Sequence, residues 1–380
     1  MTEVKISPDA KESPSEDMGG YPHYMLKEIN EQAESLKNTL AGRISGGRVN
    51  LSPELTWSEE DVRQWKKLHI VACGTSYYSG LVAERFFESI TGFETRVEVA
   101  SEYACRNLPA GPDTLAVFVT QSGETADTIE AERAAREKGA RLLAITNAAG
   151  STIAREVHDT LLLNAGPEIG VAATKSFTGQ LTVLYLLALQ LARLQGKLRE
   201  ERERFFVDEL EALPFKVQSA LSRQEDVLKA VLPYGRARDF LFLGRGPSYP
   251  VALEGALKLK EISYVHSEAF AGGELKHGPI ALLDSSVPVV VIAPRDGHFE
   301  KNRSSIRDIK AGNSPVIVVT TEGDHSLEGT ADHILTVPEA SEMFTPFLTV
   351  LPLQLFSYYF ARNLGRNIDR PRNLTKSVTE

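Results

Sequence analysis

Apolar positions along this chain fall into short runs that end in small or polar residues and lead into amphipathic stretches. Residues 114–119 form one such run, a hydroxyl-rich turn follows over 120–125, and helical periodicity begins near Ala126. A second run over 69–73 leads into a Gly/Ser turn and then an amphipathic stretch over 80–90. Short apolar runs that alternate with helical stretches are typical of buried parallel strands. The pattern predicts an α/β fold with helices on both faces of a parallel sheet.

The same order of elements recurs in the second half of the chain. The run 239–244 ends at Gly244 and parallels the run that ends before Gly74, while 287–293 parallels 114–119 at a similar offset. Each half is predicted to run strand, turn, helix, short strand, helix, strand, helix, strand. We therefore expect two tandem domains, each a three-layer α/β/α unit of the flavodoxin-like type.

The predicted domain organisation has four parts. Residues 1–20 are polar, lack a signal-peptide pattern and are expected to form a disordered arm. The first α/β domain is predicted over 21–205, the second over 206–360, and a C-terminal tail over 361–380. A segment over 194–213, rich in Glu, Arg and Leu, is expected to be a helical connector between the halves.

Size and charge narrow the classes of function. The chain has 380 residues, 42% of them hydrophobic, which suffices for two ordinary cores. A formal charge of −9 argues against a nucleic-acid partner. The longest apolar stretch, 181–192, is too short to span a bilayer and predicts a buried helix, so no membrane partner is expected. Only Cys73 and Cys105 occur, which favours a reducing cytoplasm and predicts neither a metal site nor another cofactor.

The turn over 120–125 has the composition of a phosphate site. Thr120, Ser122 and Thr125 offer hydroxyl groups where backbone N–H groups and the positive end of a helix dipole also converge. The turn contains no Lys or Arg, so neutral donors would hold the anion. An ordinary capping turn with surplus Ser and Thr is the alternative.

The turn that begins at Cys73 would face the same ligand across a switch point, with Ser76 as its hydroxyl donor. Neither turn has the glycine spacing of dinucleotide sites or the lysine of a P-loop, so no nucleotide is expected there. The equivalent turn of the second half, residues 293–298, contains an Asp and fewer hydroxyls. One phosphate site is therefore predicted, in the first half.

Reactive side chains are concentrated in the second half. Glu254, Lys258 and Glu261 fall on one helical face, and a solvated face with one Glu–Lys pair is the alternative interpretation. His277 stands between Gly residues and Pro279 on a loop, where polar side chains are more often functional than structural.

Several local motifs together identify a family. They are Cys73-Gly-Thr-Ser-Tyr77, Gln121-Ser-Gly-Glu-Thr125, Glu168-Ile-Gly-Val-Ala172, Glu254-Gly-Ala-Leu-Lys258, Glu274-Leu-Lys-His-Gly-Pro279 and Arg370-Pro-Arg-Asn-Leu-Thr-Lys376. These motifs resemble the sugar isomerase (SIS) family, and within it the isomerase half of the glucosamine-6-phosphate synthases. The resemblance covers nearly everything from Tyr21 onward. It does not extend to the glutamine-hydrolysing half, because the only cysteines lie inside the first repeat.

The resemblance implies a binding role for nine positions. The phosphate cradle of the family is matched by Ser76, Thr120, Gln121, Ser122 and Thr125. Positions beside the sugar are matched by Cys73, Gly74, Thr75 and Val171.

The resemblance also implies catalytic roles. Glu261 matches the carboxylate that moves a proton between C1 and C2 of the open-chain sugar, with Lys258 beside it. His277 matches the acid/base that opens the sugar ring, contributed in the family by the neighbouring subunit of a homodimer. Lys376 matches the lysine that forms a Schiff base with the ketose carbonyl. A carboxylate and an amine suit proton transfer beside a carbonyl.

Three functions remain open on the sequence. The first is an isomerase that converts fructose 6-phosphate to glucosamine 6-phosphate with external ammonia, or to glucose 6-phosphate without it. The second is a glucosamine-6-phosphate deaminase, or a deglycase acting on another amino-sugar phosphate or on a glycated (fructosamine) phosphate. The third is a non-catalytic module that senses a sugar phosphate.

Overall fold

The structure is a computed structural model that describes residues 17–107 and 109–379. Residues 1–16 of the predicted disordered arm lie outside the described residues. The strands are β1 Ile44–Ser45, β2 Arg48–Val49, β3 Lys67–Ala72, β4 Glu94–Val99, β5 Thr114–Val119, β6 Arg141–Thr146, β7 Asp159–Leu162, β8 Asp239–Gly244, β9 His266–Ala271, β10 Val289–Ile292, β11 Val316–Thr321 and β12 His333–Val337. The helices are α1 Tyr24–Asn30, α2 Gln32–Leu40, α3 Glu59–Gln64, α4 Gly74–Thr91, α5 Ala100–Ala104, α6 Ala126–Glu137, α7 Thr152–Glu156, α8 Lys175–Leu194, α9 Glu200–Leu221, α10 Gln224–Val231, α11 Ser248–Ser263, α12 Phe299–Ala311 and α13 Thr345–Asn363.

Two five-stranded parallel sheets organise the chain. The first has the order β4-β3-β5-β6-β7 and the second has the order β9-β8-β10-β11-β12. In both, the first strand lies between the second and the third, which is the flavodoxin-like order with a switch point between strands one and three. The predicted duplication and fold class are confirmed.

Each half contains one strand more than the sequence pattern predicts. The added strands are β7 and β12, which form the outer edge of their sheets. Their burial alternates along the strand, whereas β5 and β11 are buried at every position. Because not every position along these two strands is buried, neither shows the fully buried apolar pattern by which the central strands are recognised.

Helix α4 begins earlier than predicted. The sequence indicates a turn up to residue 79, but the helix starts at Gly74, directly after an extended Cys73. Thr75 and Ser76 therefore lie in the first turn of α4. Their backbone N–H groups belong to a helix N-terminus at the carboxyl end of β3, which favours an anion there.

Helix α8 is longer than the predicted buried segment. It has 20 residues and is the one described helix that is long and apolar enough to cross a membrane, yet 89% of its apolar window is buried inside the protein. Tyr185 on α8 stacks on Phe86 of α4 with ring centroids 4.2 Å apart, and Phe344 packs edge-on against both rings. The helix therefore lies in the core between the two repeats.

The two domains meet through equivalent helices. Helices α4 and α11 each follow the first strand of a sheet, and they pack against each other. The buried Thr75 hydroxyl on α4 donates to Glu254 Oε1 on α11 at 3.2 Å. This contact joins the helix N-terminus of the first domain to the ionisable face predicted in the second.

Candidate active site

A cleft of about 200 Å³ opens at the carboxyl ends of β3 and β5, at the switch point of the first sheet. It brings together every predicted site residue except His277. The predicted residues that line it are Cys73, Gly74, Thr75, Ser76, Thr120, Gln121, Ser122, Thr125, Val171, Lys258, Glu261 and Lys376. The cleft therefore receives side chains from the first domain, from α11 of the second domain and from the C-terminal tail.

The turn between β5 and α6 forms one wall of the cleft. Thr120 Oγ1 accepts a hydrogen bond from the Gly123 backbone N–H at 3.2 Å and lies 3.3 Å from Thr125 Oγ1. Gly123 has a φ of +70°, and a Cβ there would come within 2.3 Å of the Ser151 side chain, so only glycine fits. The turn thus holds two hydroxyls and a helix N-terminus at one point.

A buried glutamine on α8 orients the Ser76 hydroxyl. Gln180 Nε2, buried on α8, donates to Ser76 Oγ at 2.8 Å. Because the oxygen accepts this bond, its own hydrogen is free to donate toward the cleft. Among the described residues the cations that line the cleft are Lys258 and Lys376, and neither belongs to α4 or to the turn between β5 and α6. Neutral donors and helix N-termini, rather than cations, therefore make up this wall, a composition that suits an anion.

The opposite wall carries a buried ionic triplet. Lys258 Nζ lies 2.6 Å from Glu261 Oε2 and 3.5 Å from Glu254 Oε1, and it donates to Thr75 Oγ1 at 2.9 Å. Lys258 and Glu254 are fully buried, whereas Glu261 is part-exposed to the cleft. The triplet is therefore not the solvated face that was the alternative interpretation of this helix.

Burial and neighbouring charges set the protonation of the triplet. Burial alone would lower the pKa of Lys258, but the two carboxylates outweigh burial and raise it above its ordinary value. Burial raises the pKa of Glu254 to about 7, with Lys258 opposing and Glu261 adding to the rise. Lys258 thus stays an ammonium whose charge is directed at Glu261 on the cleft surface.

The tail places Lys376 in the cleft. Its Nζ donates to Glu168 Oε2 at 2.6 Å and to the Gly170 carbonyl at 2.8 Å. Glu168 is buried and also accepts from the Thr174 and Ser176 backbone N–H groups. Burial would raise the pKa of Glu168, but Lys376 and these N–H groups outweigh it and lower the pKa to about 2.

Further contacts hold the tail along the cleft. The Val171 backbone N–H donates to the Asp369 carbonyl at 3.0 Å, and the Ala126 N–H at the start of α6 donates to the Val378 carbonyl at 3.0 Å. The tail therefore touches the loop beside Val171 and the N-terminus of α6, beside the hydroxyl-rich turn.

Two of the predicted site residues, His277 and Cys73, have surroundings unlike those of the rest. His277 is exposed, lies in a short 3-10 turn and does not line the cleft of its own chain. Its predicted role requires a second copy, so that role stays a prediction. Cys73 lines the cleft, but burial raises the pKa of its thiol, which disfavours a nucleophilic thiolate.

Sequence reasoning gave no role to some residues that shape the cleft. Three of these residues hold another group of the cleft in place by a hydrogen bond: Gln180, Glu168 and Glu28. Glu28 Oε1, for example, accepts the Gly170 N–H at 3.0 Å. Glu168 stands in a quoted motif, but nothing in the pattern indicates its pairing with a lysine 208 positions away. A Gln or Glu on the apolar face of a predicted helix, as at Gln180, is the signal that could have drawn attention to such groups.

Known proteins resemble this chain over most of its length. The family model described as SIS domain matches residues 61–190 and 235–363. A glutamine–fructose-6-phosphate aminotransferase (isomerizing) of Methanosarcina acetivorans is 47% identical over 95% of this chain and 58% of its own length. The chain spans about three fifths of the length of the curated relatives it matches.

Two solved structures extend the comparison. The C-terminal domain of glucosamine-fructose-6-phosphate aminotransferase from Francisella tularensis superposes with a TM-score of 0.89 at 35% identity, covering 93% of this chain and 100% of that one. Glucosamine-6-phosphate deaminase from Thermotoga maritima superposes with a TM-score of 0.73 at 25% identity, covering 94% of this chain and 99% of that one.

Proposed function

Because the chain belongs to the SIS domain family, we propose that its cleft interconverts ketose and aldose 6-phosphates, and forms glucosamine 6-phosphate from fructose 6-phosphate when ammonia is supplied. One observation carries the proposal: a wall of neutral donors faces a part-exposed Glu261 and an amine, Lys376, across a single cleft. A phosphate held by the neutral donors would leave the carbon chain to extend toward the carboxylate and the amine.

The phosphate would be held by Ser76, Ser122, Thr125 and the N-termini of α4 and α6. Gln121 and Thr120 complete this wall, and Cys73, Gly74, Thr75 and Val171 lie where the sugar carbons would pass. Neutral hydrogen-bond donors and helix dipoles can hold a phosphate dianion without a cation at this wall.

The chemistry would proceed in three steps. Lys376, held as an ammonium by Glu168, first gives up one proton to solvent, and the amine adds to the C2 carbonyl. The hydroxyl that results is protonated and leaves as water, giving an iminium that ammonia then displaces to release the lysine. Glu261 removes the proton from C1 and returns it to C2, which converts the ketose imine to the amino aldose. Lys258, held 2.6 Å from Glu261, offsets charge that develops beside the carboxylate. Without ammonia, the same proton transfer on the free open-chain ketose, with its C2 carbonyl intact, yields glucose 6-phosphate.

Ring opening would fall to His277 of a second copy in a homodimer. His277 is exposed, and the same loop exposes two large apolar side chains, Ile280 at 39% and Leu282 at 52%. Exposed apolar groups beside a titratable side chain favour contact with another protein surface. The unpaired cysteines, Cys73 and Cys105, fit a reducing cytoplasm as the setting.

A second candidate is the reverse reaction, release of ammonia from glucosamine 6-phosphate. The likeness to the Thermotoga maritima deaminase favours it, and the same carboxylate would move the proton in the opposite sense. A sensing module without catalysis is less well supported, because burying Lys258 and Glu254 is costly unless the charges serve a purpose.

The test is an assay of hexose phosphates in both directions, with and without ammonium. We expect fructose 6-phosphate to yield glucosamine 6-phosphate with ammonium and glucose 6-phosphate without it. Glu261→Gln should lower turnover by about 10²–10⁴-fold while sugar-phosphate binding persists, because the amide cannot accept the proton. Glu268→Gln, an exposed position on β9, is the matched control and should remain active.

Other outcomes have defined meanings. Faster ammonia release than incorporation, under all ammonium concentrations, would assign the deaminase. Binding of hexose phosphates without any turnover would leave only the sensing module. Full activity in Glu261→Gln would remove the carboxylate from the mechanism.

A further inference from the structure

A second cleft lies in the second domain, away from the site described above. Arg245 follows β8, Gly272 and Gly273 follow β9, and α12 closes the far side. The cleft measures about 250 Å³, and we refer to it as the Arg245 cleft. The turn over 293–298, which corresponds to the phosphate turn of the first repeat, does not line it.

The cleft exists because the two repeats differ at one position in the fold. In the first domain β4 runs straight into α5, which packs on α6 and places the buried Tyr103 in the outer core. In the second domain β9 is followed by two glycines and 3-10 turns, and Leu275 alone enters the outer core. Space that a helix fills in one repeat is therefore open beside α12 in the other.

Arg245 forms the floor of the cleft. Its Nη2 donates to the Gly272 carbonyl at 2.7 Å and lies 3.3 Å from Ser305 Oγ. Its Nε is buried and has no hydrogen-bond partner among the described residues. A buried N–H of a charged group without an acceptor is costly, so a shift of the Arg245 side chain that brought this N–H to a ligand oxygen in the cleft would remove the cost.

The rim of the cleft is cationic as well. Lys276 pairs with Asp308 at 2.9 Å, whereas Lys301 makes no ion pair within the described part of the chain. Three cations against one carboxylate leave a net charge of about +2, with the Ser304 hydroxyl as an added donor. None of the lining side chains is aromatic, so the cleft offers no stacking surface for a nucleobase.

We propose that the Arg245 cleft binds a phosphate dianion, carried by inorganic phosphate or by a small phosphate monoester. A guanidinium with an unpartnered N–H matches phosphate oxygens in geometry, and the two lysines supply the balancing charge. This differs from the first-domain cradle, which uses neutral donors, so affinity at the Arg245 cleft should fall more steeply with salt.

A ligand bound in the Arg245 cleft would also affect the loop that carries His277. Arg245 contacts Gly272 and Gly273, and a Cβ on either glycine would lie 3.1 to 3.3 Å from the Arg245 side chain. These glycines lead through Leu275 to His277, so a ligand that fixes Arg245 also steadies the loop. This consequence rests on the role proposed for His277, whereas the binding itself does not.

The experiment measures inorganic phosphate binding by equilibrium dialysis. The protein carries Ser122→Ala and Thr125→Val, which disable the first-domain cradle and leave the Arg245 cleft intact. We expect one equivalent of phosphate per chain, and Lys301→Gln should weaken its affinity by about tenfold, since a charge-assisted contact is lost. Arg303→Gln removes the same charge from α12 at a position that does not line the cleft, and should leave the affinity unchanged.

Each outcome decides the proposal. Binding that falls equally in Lys301→Gln and Arg303→Gln, or no phosphate bound once the cradle is disabled, would overturn it. Glycerol 3-phosphate in a parallel titration separates the sources: tighter binding than inorganic phosphate assigns a monoester, and weaker binding assigns the free anion. The readout needs no turnover, so a chain inactive on hexose phosphates could still pass this test.

Discussion

At the scale of single residues, the surroundings rather than the residue type decide what a carboxylate does. Glu168 and Glu28 bind neighbouring parts of the same loop, yet the pKa of Glu168 is lowered to about 2 and that of Glu28 is raised to about 7. Glu168 holds the Lys376 ammonium, whereas burial dominates at Glu28, with the Glu168 charge adding to the rise. The sequence identifies the reactive residue types but not these environments, because they depend on contacts between distant segments.

The substitution Glu28→Gln tests whether burial raises the pKa of the Glu28 carboxyl. A carboxyl whose folded pKa is raised from 4.5 to about 7 stabilises the fold below pH 4.5, and this contribution is lost as the pH rises through 7. The variant has no such titration, so its free energy of unfolding relative to wild type should rise by about 1–3 kcal/mol between pH 4.5 and pH 8. Denaturant titrations at both pH values measure the difference.

The exposed Glu34→Gln on α2 serves as its control and should show no such pH-dependent gain. A constant difference between Glu28→Gln and wild type across this range would show that the carboxyl does not titrate there.

At the scale of elements, continuous apolar runs predict the central strands well. The residue at which a helix starts is predicted less well from the sequence. β5 occupies the run that predicts it, residues 114–119, and α6 begins at Ala126 as expected. The start of α4 is displaced because Gly and Ser residues suit both a turn and the first turn of a helix. The strands β7 and β12 escape prediction because partly exposed positions interrupt the buried ones along them.

The tail is an element without secondary structure, and side-chain contacts hold it in place. Asp369 accepts hydrogen bonds from the Tyr24 and Met25 N–H groups through its two carboxylate oxygens, at 3.0 and 2.9 Å, and so caps α1. Its backbone carbonyl meets the Val171 N–H. One residue thus ties the tail both to the first helix and to the loop beside the cleft.

Asp369→Ala should release this attachment. Loss of the cap should cost about 1–2 kcal/mol of stability, and trypsin should cut faster after Arg372. Limited proteolysis followed by mass spectrometry measures the cleavage rate. Asp226→Ala, an exposed position on α10, is the matched control and should leave the cleavage pattern unchanged. Equal cleavage rates for the two variants would mean that other contacts suffice to hold the tail.

At the scale of the molecule, the cleft is a product of the duplication. The first repeat contributes a hydroxyl-rich wall, the second contributes an ionic triplet on α11, and the tail contributes an amine. The sequence predicts both repeats and both sets of residues. It does not predict their meeting, because the contact between Thr75 and Glu254 spans 179 positions and follows from the packing of α4 on α11.

A crystal structure with bound fructose 6-phosphate tests the central claim most directly. The account predicts phosphate oxygens within hydrogen-bonding distance of Ser76, Ser122 and Thr125, with C1 and C2 beside Glu261 and C2 within reach of Lys376. A phosphate bound elsewhere, or a Glu261 carboxylate directed away from the carbon chain, would contradict it.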